Sequence, residues 1–260
     1  MSYLTTRPGR TRGPARRAAG RGAALFVTAT LLAAASCSGG SSPAGPEDID
    51  IGRNRAGVGW AFGDSLSHGR DSLFSYQLQP LNDAGPDEPG YRLRLEQLFA
   101  KSGRTVNVVE DGEPASFSAD GVARIWRAVA GRPAFLVLLY GTNDAYLGLP
   151  VGQLESNLRY IVDECRKNKI IVVLCTLPPI CEVGAVSPRI DAYNSMIRSM
   201  APGLEKRWGA VLLADLDKAF RLRGRGDVCR LLNPLGVHPT KEGYELMGDT
   251  VFESLKAVTW

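Results

Sequence analysis

The chain of 260 residues has only two histidines, His68 and His238, so chemistry that needs an imidazole has two places to find one. Its five cysteines include no close Cys-x-x-Cys pair, and neither histidine accompanies them, which argues against a zinc site. No internal repeat is visible. The apolar run from Ala23 to Ala35 is too short for the roughly 20 residues of a membrane-spanning helix. Acidic residues are missing before Glu47, while Arg7, Arg10, Arg12, Arg16, Arg17 and Arg21 precede that run, the layout of a secretory signal. The formal net charge of +4 comes from those six arginines: without residues 1–36, 25 basic residues face 27 acidic ones over 224 positions. A nucleic-acid partner therefore has no electrostatic support. The remaining length suits one α/β domain with a full core.

Ala34-Ala35-Ser36-Cys37 resembles a bacterial lipobox, in which the cysteine becomes the lipidated first residue of the mature protein. The stretch Ser38 to Pro46, rich in Gly, Ser and Pro, reads as a tether between lipid and domain. The expected organisation is a signal over 1–36, lipidated Cys37 and a flexible linker over 37–55, and one domain over 56–260. An ordinary cleaved signal is the alternative to lipidation. Either way the protein is expected to be exported, as a cell-envelope lipoprotein or secreted, and to meet a membrane only through the N-terminal lipid.

Apolar runs near 57–62, 105–109, 134–140, 170–176 and 210–213 read as five short strands. Helical spacing recurs over 91–99, 151–166, 190–207 and 241–257. Alternation of strand and helix predicts a parallel sheet covered on both faces. Long irregular stretches follow at 68–90, 177–188 and 223–234, and Leu73, Phe74 and Tyr76 in the first could wall a substrate site. Cys165 and Cys175 fall in a helix and a strand and read as buried thiols. Cys181 and Cys229 fall in loops and are the candidates for a disulfide, since an exported protein can form one.

Three local patterns carry the chemistry. Gly63-Asp64-Ser65-Leu66 follows the apolar run Val58 to Phe62, which places the Ser65 hydroxyl at the carboxyl end of a strand, where open α/β sheets bind ligands. Gly141-Thr142-Asn143-Asp144 follows another strand, and Asn143 offers an amide donor of the kind an oxyanion hole needs. Val237-His238-Pro239 opens the last helix and supplies a base. Together they contain nucleophile, general base and electrophilic clamp.

This set, in this order, resembles the GDSL family of esterases and lipases, the SGNH hydrolases, over about residues 56 to 260. The resemblance implies a flavodoxin-like three-layer α/β sandwich with a five-stranded parallel sheet in the order 2-1-3-4-5. It also implies Ser65 as nucleophile, His238 as base, and an oxyanion hole from the Ser65 N–H, a glycine N–H and Asn143. The chain departs from the family pattern twice. The family glycine is replaced by Ala115, whose backbone N–H still serves, with Gly112 as the fallback if the loop is shifted. The family aspartate three residues before the histidine is replaced by Leu235, so the expected site is a Ser-His dyad unless Asp227 is brought in.

Several neighbours have blander readings. Asp64 is expected to brace the turn through backbone bonds, and His68 to be a loop histidine rather than the base. Asp144 reads as a helix or turn cap, and Tyr140 and Tyr146 could line the substrate site, though a core or interface tyrosine is the commoner fate. The expected function is hydrolysis of a small-molecule or glycan carboxylic ester without metal or organic cofactor. A carbohydrate O-deacetylase using the same residues is one alternative, and a domain that binds acyl or glycan groups without hydrolysing them, motivated by Leu235 and Ala115, is another.

Overall fold

Apolar runs alternate with amphipathic ones along this chain, and the first become parallel strands while the second become helices. The computed structural model describes residues 47–69, 90–181, 184–208 and 211–260. The signal segment, Cys37, and the wall candidates Leu73, Phe74 and Tyr76 lie outside them. In chain order the elements are β1 (Glu47–Asp48), β2 (Arg55–Gly63), α1 (Ser65–His68), α2 (Tyr91–Lys101), β3 (Asn107–Gly112), α3 (Ser118–Gly131), β4 (Pro133–Leu139), α4 (Thr142–Leu147), α5 (Val151–Lys167), β5 (Ile171–Cys175), α6 (Val186–Trp208), β6 (Val211–Ala214), α7 (Leu216–Gly224), a 3-10 turn (Val228–Leu231), α8 (Lys241–Leu255) and β7 (Val258–Thr259).

The main sheet has five parallel strands in the order β3-β2-β4-β5-β6, which is 2-1-3-4-5 in chain order. Every residue of β4 and β5 is buried, because both faces of a central parallel strand are covered by helices. The edge strands β3 and β6 are only partly buried. Helix α2 packs on α8, and α3 packs on α5, giving a helical layer on each face. The chain leaves β2 for β3 at one edge and then crosses to β4 on the other side of β2. That reversal opens a crevice at the carboxyl ends of β2 and β4, where open α/β sheets bind ligands.

Several features differ from the sequence reading, among them helix α7 (Leu216–Gly224), which no expected helix covers. Helix α3 was not expected, since its buried stripe is Gly121, Arg124, Ile125 and Ala128, in which only Ile125 is a large apolar residue. Residues 47–55, read as linker, are bound to the domain: Glu47 and Asp48 pair in parallel with Val258 and Thr259. The Asn54 amide donates to the carbonyls of Asn168 and Lys169, each at 2.9 Å. Among the described residues no helix is long and apolar enough to cross a membrane.

Candidate active site

Ser65 owes its place to a tight corner. Gly63 ends β2 so close to β4 and α1 that a Cβ there would run into the Leu139 carbonyl and the Ser67 hydroxyl. Asp64 then caps α1, its Oδ1 accepting the Leu66 N–H at 2.9 Å while its carbonyl accepts from Ser67 and His68 at 3.1 Å. Ser65 is thus the first helical residue, and N–H groups at that position have no acceptor within their own helix. Gly69, in the left-handed conformation at φ 82°, closes the short helix.

The Asp64 carboxyl is buried, and that burial pushes its pKa up to about 7, against the Leu66 hydrogen bond that lowers it and with the charge of Asp144 that raises it further. Folded Asp64 therefore keeps its proton where the unfolded chain, at the ordinary 3.8, has released it. This stabilisation is complete below that ordinary value and is lost as pH rises through about 7. Asp64→Asn keeps the Oδ1 acceptor and removes the titration. Urea unfolding of both proteins at several pH values between 4 and 8 should show wild-type stability falling relative to the variant as pH rises. A constant difference would contradict the buried-acid assignment.

The second segment is a turn. Ser116 N–H donates to the Glu113 carbonyl at 3.1 Å, with Pro114 at the second position and Ala115 at the third. Ala115 has φ 62°, the left-handed value that a type II turn requires at its third residue. Left-handed backbone costs a non-glycine residue about 1–2 kcal/mol, which is the physical reason for a glycine there. Alanine nonetheless takes the conformation, and the turn's own hydrogen bond does not use the Ala115 N–H. The fallback is corrected. The Gly112 N–H donates to Glu110 Oε1 at 2.9 Å, and a Cβ on Gly112 would strike the backbone of His68, so this glycine serves close packing.

Asn143 sits in the first turn of α4, after Gly141 at φ 134°. One N–H of its amide donates to the Ser116 carbonyl at 2.8 Å, which orients the group and leaves the second N–H for another acceptor. Asp144, fully buried, caps a different helix from the one it belongs to: it accepts the Ser118 N–H at 3.0 Å and the Ser118 hydroxyl at 2.5 Å, pinning α4 to the start of α3.

His238 arrives on a loop folded back on itself. The Asn233 N–H donates to the His238 carbonyl at 2.7 Å, the Thr240 N–H to the Leu231 carbonyl at 2.9 Å, and Leu232 bridges Pro239. Cys181 and Cys229 form a disulfide with a Cα–Cα distance of 5.5 Å, and the Cys181 N–H donates to the Gly236 carbonyl at 2.8 Å. The loop after β5 thus anchors the loop that carries the imidazole. His238 Nε2 lies 2.9 Å from Ser65 Oγ. Ser65, Asn143 and His238 are each half-buried, so the group is reachable from solvent.

Other candidates are placed elsewhere. His68 Nδ1 pairs with Glu110 Oε1 at 3.0 Å. Leu235 is 54% exposed, and Asp227 Oδ1 caps the 3-10 turn by accepting the Cys229 N–H at 3.1 Å. Tyr140 is corrected as a substrate wall: it is 1% exposed and its hydroxyl meets the Arg124 guanidinium and, at 3.5 Å, the Ser116 hydroxyl. Tyr146 is exposed on α4. Cys165 and Cys175 are buried free thiols. The residue that sequence reasoning missed is Arg124, buried beneath the Ser65, Ala115 and Asn143 segments.

Residues 61–246 match the model of the GDSL-like lipase/acylhydrolase family. Esterase TesA of Pseudomonas aeruginosa is 26% identical over 171 residues, which are 64% of this chain and 78% of that protein. Among solved structures, a lipase/acylhydrolase from Enterococcus faecalis aligns with TM-score 0.59 and 24% identity, over 76% of this chain and 94% of its own. A mutant of Axe2, an acetyl-xylooligosaccharide esterase from Geobacillus, aligns with TM-score 0.62 and 19% identity, over 80% of this chain and 97% of its own. These structural likenesses concern the fold.

Proposed function

Since the chain belongs to the GDSL-like lipase/acylhydrolase family and is a carboxylic ester hydrolase, we propose that it works outside the cytoplasm through an acyl-enzyme on Ser65. The observation that carries this reading is the 2.9 Å contact between Ser65 Oγ and His238 Nε2. Neutral His238 takes the hydroxyl proton as Ser65 Oγ bonds to the ester carbonyl carbon. The carbonyl oxygen becomes an oxyanion, held by the N–H groups of Ser65 and Ala115 and by the second N–H of the Asn143 amide. The tetrahedral adduct collapses, the C–O bond to the alcohol breaks, and His238 protonates the departing alkoxide. Water repeats the sequence on the acyl-enzyme and releases the acid.

Export is supported by the arginine-led apolar run before Cys37 and by the Cys181–Cys229 bridge, because disulfides persist in oxidising compartments. A second reading, a carbohydrate O-deacetylase, draws on the likeness to an acetyl-xylooligosaccharide esterase. Both use the same apparatus and differ in what the rim accepts. Purified protein assayed on p-nitrophenyl acetate, butyrate and octanoate and on acetylated xylooligosaccharides separates them. A kcat/KM higher on the acetylated sugars than on octanoate assigns the deacetylase, and the reverse assigns a lipase-type esterase. Absence of turnover on every ester overturns the hydrolytic reading.

A further inference from the structure

Arg124 lies on α3, 4% exposed, and its guanidinium reaches the segments that carry Ser65, Ala115 and Asn143, though not the loop that carries His238. Nη2 donates to the Gly63 carbonyl at 2.5 Å, two residues before Ser65. Nη1 donates to the Asp111 carbonyl at 2.8 Å and to Asp111 Oδ1 at 2.5 Å, and Nε forms an ion pair with Glu113 Oε2 at 3.2 Å, two residues before Ala115. Nη2 also donates to the Tyr140 hydroxyl, three residues before Asn143. The planar group stacks on Phe62, its central carbon 4.6 Å from the ring centroid.

We propose that Arg124 is the positioning residue of this active site: one buried guanidinium sets the spacing between the segment carrying Ser65, the turn carrying Ala115 and the turn carrying Asn143. It touches none of the reacting atoms and acts through Gly63, Glu113 and Tyr140. Two direct links close the network, the Glu113 N–H to the same Gly63 carbonyl at 3.0 Å and the Asn143 amide to the Ser116 carbonyl at 2.8 Å. These links join the segments pairwise, whereas Arg124 joins all of them at once. Five donors in a rigid plane can hold acceptors on separate strands in fixed directions, which a lysine ammonium on a flexible stem cannot. The carboxylates of Asp111 and Glu113 lie beside it and pair with its charge.

The inference rests on the Ser65 acyl-enzyme reading, and active-site titration separates the two. Arg124→Lys keeps the charge and loses the fork. Misplacement by about 1 Å costs on the order of 10² in rate, so kcat per titrated site on p-nitrophenyl acetate should fall by that order while KM stays within about twofold. A role confined to stability would lower the melting temperature and the titratable fraction, and leave kcat per titrated site at the wild-type value. That outcome overturns the proposal. If Arg124→Lys does not fold, Tyr140→Phe, which removes one acceptor from the guanidinium and keeps the ring, carries the test. It should lower kcat per site by roughly tenfold, part of the same misplacement cost, and an unchanged kcat overturns the proposal equally. Wild-type protein that titrates no site at all sinks the acyl-enzyme reading instead.

Discussion

Ser65→Ala is expected to lower kcat on any ester substrate by about 10⁶, the scale seen when the nucleophile of a serine hydrolase is removed. The size follows from the arrangement. The hydroxyl is the group poised 2.9 Å from the imidazole, and without it the proposed acyl-enzyme, and with it the division of one difficult step into two easier ones, cannot form. Residual rate would come from the oxyanion donors acting on attack by water. The fold should be untouched, because the contacts that shape the corner belong to Gly63, Asp64 and Ser67 rather than to the Ser65 hydroxyl. Steady-state kinetics with a circular dichroism control measures this, and a variant that keeps more than about a hundredth of the wild-type rate, far above that scale, would remove Ser65 from the chemistry.

His238→Ala is expected to cost nearly as much, and the double variant Ser65→Ala/His238→Ala no more than either alone, because residues that act as one unit are not additive. A product of two independent losses would show that the pair does not work as nucleophile and base. Asp227→Ala belongs in the same series. Leu235 offers no carboxylate, and the Asp227 Oδ1 is engaged by the Cys229 N–H, so its removal should weaken the 3-10 turn and leave kcat within tenfold. A loss on the order of 10⁴, the scale of a disabled triad acid, would make Asp227 the partner of the imidazole.

The parts of the site that could be read from residues alone are those with local signatures. Ser65, Asn143 and His238 each follow a strand or open a helix within a short motif, and strand ends are where a parallel sheet exposes side chains to ligands. The sheet order was legible only through family resemblance, since periodicity locates strands and does not pair them. Tyr140 invites a substrate-wall reading because it stands next to the Asn143 turn, yet it has the core tyrosine's commoner fate. It closes a central strand covered on both faces, so side chains of either parity are buried there. Helix α3 is less legible because Gly121 and Arg124 share its buried stripe with Ile125, interrupting the apolar pattern that Val122, Ile125 and Val129 carry against the core. Arg124 was the least legible. Arg127 lies one turn on with a side chain 48% exposed, against 5% for Arg124, and nothing in the local sequence separates the two. Only the fold, by bringing Gly63, Asp111 and Tyr140 together, gives a buried guanidinium its acceptors.

The most direct test of the Ser65 acyl-enzyme is reaction with a fluorophosphonate followed by intact-mass analysis and peptide mapping. The expected result is one adduct per chain, located on the peptide containing Ser65, formed in step with loss of esterase activity and absent from Ser65→Ala. An adduct on another residue, or labelling that survives Ser65→Ala unchanged, would contradict it.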